Sequence, residues 1–214
     1  MAAPFEYTVI PPKAIESGKT YPAVFALHGI GYTEKDMLSV IEPLKGELFL
    51  IGIRGHLPYE AGHAYYYLKS FGNPERDLFD RSVEMLQHFI DDAVRRFPID
   101  PRQVYLIGFS QGAILSLTLA LTLGSKVKGV IAMNGYIPSF VKEEYVILPA
   151  GHLSVFLSDG DCDPIFPPSV GAESHQYLKD KVERIQYVTY SAAHEITDRN
   201  KADVVAWIEK EIAR

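Results

Sequence analysis

A short apolar run, residues 104–107, ends in Gly108-Phe109-Ser110-Gln111-Gly112 and passes directly into the apolar, helix-favouring residues 113–123. Few folds admit a strand that turns into a helix through a serine flanked at two residues' distance by glycines. The serine backbone must be strained to make such a turn, and a Cβ two residues before or after it would crowd the bend. The hydroxyl then stands clear of the sheet edge at the start of a helix. There the helix dipole and unpaired N–H groups favour developing negative charge. This is the context of a nucleophile elbow, with Ser110 as its nucleophile.

Strand-like and helix-like segments alternate through the rest of the chain. Residues 5–10, 21–27 and 47–53 read as strands. Residues 74–97 read as a helix, with Phe79, Val83, Leu86, Ile90, Ala93 and Phe97 recurring at spacings of four and three and Pro98 as its stop. Strand 104–107, helix 111–123 ended by Gly124, and strand 127–133 follow. Strands 153–157 and 184–190 are separated by a helix over residues 170–181. A last helix runs from Asp198, its expected N-cap, to Ile212 and buries Val204, Val205, Ile208 and Ile212. The later strands are continuously apolar and rich in Val and Ile, as in a parallel sheet covered on both faces. The predicted class is α/β, a mostly parallel central sheet with helices on both faces. With 214 residues, 47% hydrophobic and 22% charged, residues 1–214 form one expected domain.

Composition removes several function classes. A net charge of −6 with no Lys/Arg cluster excludes a nucleic-acid footprint. Cys162 is the sole cysteine, so neither an intrachain disulfide nor a thiolate metal site is available. No run approaches the roughly 18 apolar residues that span a bilayer. Met1-Ala2-Ala3-Pro4-Phe5-Glu6 lacks the basic and apolar regions of a signal peptide. A cytoplasmic protein without integral membrane contact is expected.

A serine hydroxyl needs a base to take its proton and a third group to orient that base. Downstream of Ser110 the histidines are His152, His175 and His194. His194 follows strand 184–190 by a short Ser191-Ala192-Ala193 loop, which places it at the carboxyl edge of the sheet. His175 falls within a helix and His152 precedes a strand. For the acid, Ser158-Asp159-Gly160-Asp161-Cys162-Asp163-Pro164 follows strand 153–157. Asp163 lies far enough past the strand to curl back over the edge, with Pro164 restricting its backbone; Asp161 is the competitor. The three carboxylates lack the further ligands of a calcium loop.

The oxyanion of acyl transfer also needs hydrogen-bond donors, worth ~3–4 kcal/mol each. The backbone N–H of Gln111, after the nucleophile, is one candidate. The N–H of Ile30 in Leu27-His28-Gly29-Ile30-Gly31 is the second. His28 precedes the serine and reads as a loop-packing group. The long irregular stretches 54–73 and 134–152 follow strands, so both should wall a pocket at the carboxyl edge. Tyr65-Tyr66-Tyr67, with Phe71 nearby, reads equally as pocket lining or core. Cys162 sits between carboxylates that raise its pKa, which argues against a reactive thiol.

Together these residues resemble the phospholipase/carboxylesterase family of α/β-hydrolases, which includes the acyl-protein thioesterases. The resemblance is carried by Leu27-His28-Gly29-Ile30-Gly31, Gly108-Phe109-Ser110-Gln111-Gly112-Ala113, Asn134-Gly135-Tyr136-Ile137-Pro138, residues 160–167 and His194-Glu195-Ile196. It implies the α/β-hydrolase fold, a triad of Ser110, Asp163 and His194, oxyanion amides at Ile30 and Gln111, and hydrolysis of carboxylic esters without a cofactor or metal. Asp159 stands where the family usually has His, Ala193 where it has Gly, Arg54-Gly55-His56 for Arg-Ala-Pro, and Tyr65-Tyr66-Tyr67 for Trp-Phe-Asp.

The expected function is therefore a serine hydrolase acting on small-molecule esters of short to medium acyl chain. A lysophospholipase or acyl-protein thioesterase needs a long apolar channel, for which the sequence shows no apolar lid. A peptidase needs a gating domain, and a silent binding protein on the same fold should have lost a triad or oxyanion element. Apolar residues around Tyr65 and Ile137 leave room for a homodimer patch.

Overall fold

The computed structural model describes residues 5–70 and 72–214. In chain order the elements are β1 (Tyr7–Ile10), β2 (Tyr21–Leu27), α1 (Glu34–Val40), β3 (Phe49–Ile53), β4 (Leu57–Tyr59), β5 (Gly62–Ala64), β6 (Leu68–Ser70), β7 (Asn73–Pro74) and α2 (Arg76–Arg96). Then come β8 (Ile99–Phe109), α3 (Gln111–Leu123), β9 (Gly129–Met133), α4 (Ser139–Glu144), β10 (Ser154–Gly160), α5 (Pro168–Leu178), β11 (Arg184–Tyr190) and α6 (Asp198–Ile212).

Seven strands form one sheet in the order β1-β3-β2-β8-β9-β10-β11. Edge strand β1 is antiparallel to β3 and every other pairing is parallel. Alternation along β2 explains why both faces are covered. Ala23, Phe25 and Leu27 point into one apolar cluster with α2 and α3, whereas Val24 and Ala26 point into a second with α1 and α6. Helix α3 is buried at every position except Thr122. Each fully buried Leu or Ile there contributes roughly 1.5–3 kcal/mol, so the helix that begins after Ser110 is anchored throughout its length.

The parallel pairing puts the carboxyl ends of β2, β8, β9, β10 and β11 side by side. The register sets Leu27 against Gly108 and Phe109 against Met133. Backbone bonds past the strand ends carry this order onward: Ser110 N–H to Met133 O at 2.9 Å, Asn134 N–H to Ser158 O at 2.7 Å, and Asp161 N–H to Tyr190 O at 2.8 Å.

Several local expectations change. The strand at residues 104–107 extends over Ile99–Phe109. The N-cap of α6 is Thr197, whose hydroxyl accepts from the Asn200 N–H at 3.1 Å. Thr197 has the extended backbone a cap requires, and Asp198 is already the first helical residue. Trp207 and Glu211 are buried on α6, while Val205 and Ile212 are only partly so. Residues 54–73, expected as irregular, contain the hairpins β4–β5 and β6–β7. Around Tyr65 and Ile137, where the sequence leaves room for an apolar patch, both side chains are buried. Among the described residues no helix is long and apolar enough to cross a membrane. Phe71 and residues 1–4 lie outside the described residues.

Candidate active site

Ser110 joins β8 to α3 with φ 53° and ψ −117°, a left-handed backbone that costs a non-glycine residue about 1–3 kcal/mol. The flanking glycines make this turn sterically feasible. A Cβ on Gly108 would lie 2.2 Å from the carbonyl carbon of Gly112, and one on Gly112 would lie 2.1 Å from the carbonyl oxygen of Leu27. The serine side chain is nearly buried and meets His194, whose Nε2 lies 2.9 Å from the Ser110 Oγ.

His194 comes from the loop after β11. Its other nitrogen, Nδ1, lies 2.7 Å from Asp163 Oδ2. The imidazole is wedged between two rings, with Phe109 at 5.0 Å and Phe166 at 5.2 Å between centroids. Asp163 is buried in the turn after β10 and receives three further hydrogen bonds. The Asn134 amide donates to Oδ2 at 2.9 Å, and the N–H groups of Ile165 and Phe166 donate to Oδ1 at 2.7 and 2.9 Å. Burial pushes its pKa up, but the hydrogen bonds from Asn134, His194, Phe166 and Ile165 outweigh it and hold the carboxyl below its usual range. Asp161 is exposed and makes no bond to His194. It raises the pKa of the exposed Cys162 by hydrogen bonding and charge.

The other histidines are spent elsewhere. His152 Nε2 bonds the carbonyls of Gly124 and Val127 at the opposite edge of the sheet, and His175 stacks on Tyr187. His28 is fully buried; its Nε2 accepts from the Gly55 N–H at 2.8 Å, so Nδ1 donates to the Gly29 carbonyl at 2.7 Å. Burial lowers its pKa to about 4, which keeps it neutral. Gly55 is itself placed by Arg54, which grips the buried Glu34 through two bonds of 2.7 and 2.8 Å. This chain of contacts pins the loop carrying Ile30. Neither the Ile30 nor the Gln111 N–H is bonded to another described group, and both residues border one cavity with Ser110.

That cavity holds about 70 Å³. Tyr66, Phe79, Ile114, Tyr136 and Phe166 supply much of its wall. The tyrosine triplet is divided by function in the fold. Tyr65 belongs to the core and donates its hydroxyl to the Ile53 carbonyl at 2.7 Å; Tyr66 lines the cavity; Tyr67 is part-exposed and donates to the Pro58 carbonyl at 2.9 Å. The buried Gln111 amide clamps this segment, accepting from the Tyr65 N–H at 2.7 Å and donating to the Tyr66 carbonyl at 2.8 Å.

The family model for Phospholipase/Carboxylesterase matches residues 12–212. The chain belongs to that family. The MhqD protein of Bacillus subtilis is 27% identical over 200 residues, covering 92% of this chain and 97% of that protein. Acyl-protein thioesterase 1 of Debaryomyces hansenii is 30% identical over 154 residues, covering 68% of this chain and 66% of that protein. Among solved structures, the carboxylesterase of Bacillus cereus superposes with a TM-score of 0.84 at 21% identity, covering 98% of this chain and 96% of that one. The fold is that of the α/β-hydrolases, and the chain is a hydrolase of the carboxylesterase and thioesterase kind.

Within this family member, sequence reasoning had not singled out Asn134 or the side chain of Gln111. Asn134 has φ 49°, a left-handed conformation that Asn tolerates better than most residues, directly after a strand. An Asn-Gly pair at a strand end on the site edge was the available signal. The family-divergent Asp159 is buried beneath α5 and accepts from the Tyr187 hydroxyl at 2.8 Å. Burial pushes its pKa up to about 6, with the charge of Asp163 adding to the rise.

Proposed function

We propose that this chain cleaves carboxylic esters of short to medium acyl chain through an acyl-enzyme on Ser110. His194 takes the hydroxyl proton on Nε2 as Oγ attacks the ester carbonyl. Asp163 keeps the imidazole proton on Nδ1 and stabilises the imidazolium that forms. The Ile30 and Gln111 N–H groups receive the oxyanion. His194 then returns its proton to the departing alcohol, and water activated by the same imidazole releases the acid and restores Ser110.

The observation carrying this reading is the continuous hydrogen-bond chain from Ser110 Oγ through His194 to Asp163, at 2.9 and 2.7 Å. The apolar wall of the cavity beside Ser110, from Tyr66, Phe79, Ile114 and Phe166, suits the acyl chain of an ester. Fluorophosphonate labelling of the wild type, abolished in Ser110→Ala together with a loss of roughly 10⁶ in kcat, is the expected result. A ladder of p-nitrophenyl esters from acetate to palmitate, run beside the matching acyl-CoA thioesters, tests the acyl range. Turnover should peak at the short end. A rise toward palmitate, or preference for the thioesters, would replace this reading with that of a long-chain thioesterase or lysophospholipase.

A further inference from the structure

Five tyrosines of this protein are buried, and four have their hydroxyls engaged. Tyr65 donates to the Ile53 carbonyl, Tyr105 to Gln103 Oε1 and Tyr190 to Asp203 Oδ2, while Tyr21 accepts from the Glu16 N–H. Tyr66 is the exception. It is 2% exposed, it lines the cavity that contains Ser110, and its hydroxyl bonds to no described residue. The small part of the residue left accessible includes its oxygen, which is not among the sealed, unpartnered side-chain atoms of the described residues. A ligand that displaces water from such a hydroxyl without accepting its hydrogen bond loses about 1–3 kcal/mol, so the group on this pocket wall points to a ligand atom.

The ring is held firmly in this place. Its edge-to-face contact with Phe79 is 5.0 Å between centroids, and the Gln111 amide holds its carbonyl at 2.8 Å. Burial, reinforced by the nearby Tyr136, raises the hydroxyl's pKa well above the usual tyrosine range, so it remains an O–H donor. Tyr136 borders the same cavity, with a hydroxyl that also bonds to no described residue and a ring packed against Phe166 at 5.1 Å. Among the described residues no charged side chain lines this cavity, whereas the neighbouring one that borders His194 includes Asp36, Glu195 and Lys201. The two hydroxyls therefore suit a neutral oxygen and offer nothing to balance a carboxylate.

Resting on the ester-hydrolase reading above, we propose that the preferred acyl group is short and oxygenated, a hydroxy- or oxo-acyl group whose oxygen accepts a hydrogen bond from Tyr66, with Tyr136 beside it. A plain alkyl chain of the same length would displace water from Tyr66 and leave its O–H unpaired. That is the situation in which a polar pocket discriminates most strongly.

The test compares kcat/KM by pH-stat for methyl butyrate, methyl 3-hydroxybutyrate, methyl 3-oxobutyrate and monomethyl succinate. The wild type should favour the hydroxy or oxo ester over the butyrate by about tenfold or more, and should disfavour the charged succinate. In Tyr66→Phe that ratio should fall to within roughly threefold of unity, and Tyr136→Phe should lower it partly. A wild-type ratio near one overturns the proposal. So does a ratio unchanged in Tyr66→Phe, or an equal loss on all the esters, which would make the hydroxyl a general donor to the reacting carbonyl. Fluorophosphonate labelling of Ser110 accompanies each protein. Labelling with no acyl preference defeats this proposal alone, whereas an unlabelled wild type defeats the hydrolase reading with it. If Tyr66→Phe does not fold, the wild-type ratio and the Tyr136→Phe variant still decide.

Discussion

Asp159 and Asp163 leave the end of β10 four residues apart, 3% and 4% exposed respectively, yet their charge is governed in opposite directions. Asp163 sits in a turn whose free N–H groups point back at it, and Asn134 and His194 add two more donors. Asp159 is still within the strand, where the backbone donors are committed to the ladder with β11, and it receives only the Tyr187 hydroxyl. One carboxyl is held below its usual range and the other is pushed up to about 6. Burial raises the pKa of both carboxyls, and the number of donors aimed at each decides whether that rise is overturned.

The sharpest way to break this contrast is to remove the acid charge at its centre. Asp163→Asn should reduce kcat by about 10⁴, since the amide offers the imidazole the wrong partner and tautomer. Steady-state ester turnover measures it, and a loss of only a few-fold would remove Asp163 from the triad. Asp159→Asn addresses the opposite carboxyl through stability. Between the unfolded value of 3.8 and the native value of about 6 the native state holds more protons than the unfolded chain. Stability should therefore fall as pH rises through that window, by up to roughly 3 kcal/mol. The Asn variant should match the wild type near the acid end and exceed it at pH 7 in urea unfolding; parallel curves would contradict this.

Smaller effects sharpen the comparison. Asn134→Ala takes one donor from Asp163 and should cost about 2 kcal/mol at neutral pH. Because the native pKa of Asp163 is depressed, that contribution is present above the unfolded value and lost as pH falls through the native one. The stability gap to wild type should accordingly narrow in acid, and a gap independent of pH would assign Asn134 a packing role only. Smallest of all, Asp161→Asn should leave kcat/KM within about threefold, because its exposed side chain makes no bond to the imidazole. An equal loss in Asp161→Asn and Asp163→Asn would dissolve the distinction altogether.

Much of this molecule was legible in the chain where the cause is local. Strand β2, helix α3 and strand β11 occupy the residues their patterns predict, because apolar runs and Gly stops need no distant partner to be recognised. The cap of α6 was misread by one residue: Thr197 and Asp198 are both good caps, and only the backbone angle chooses between them. The tyrosine triplet was ambiguous for a different reason. Tyr65 and Tyr66 are adjacent and both buried, one in the core and the other at the pocket, and the Gln111 clamp that separates them spans 46 residues.

By itself the sequence determined a strand–turn–helix at Ser110, an alternating α/β chain, and a histidine and an acidic turn at the ends of later strands. Each of these follows from steric demands or periodicities within a few neighbouring residues. Only the tertiary structure decided that Asn134 donates to Asp163 beside His194, and that Tyr66 borders the cavity of Ser110 with a hydroxyl bonded to no described residue. Those outcomes depend on which strand ends lie side by side and on donors brought from loops far apart in the chain.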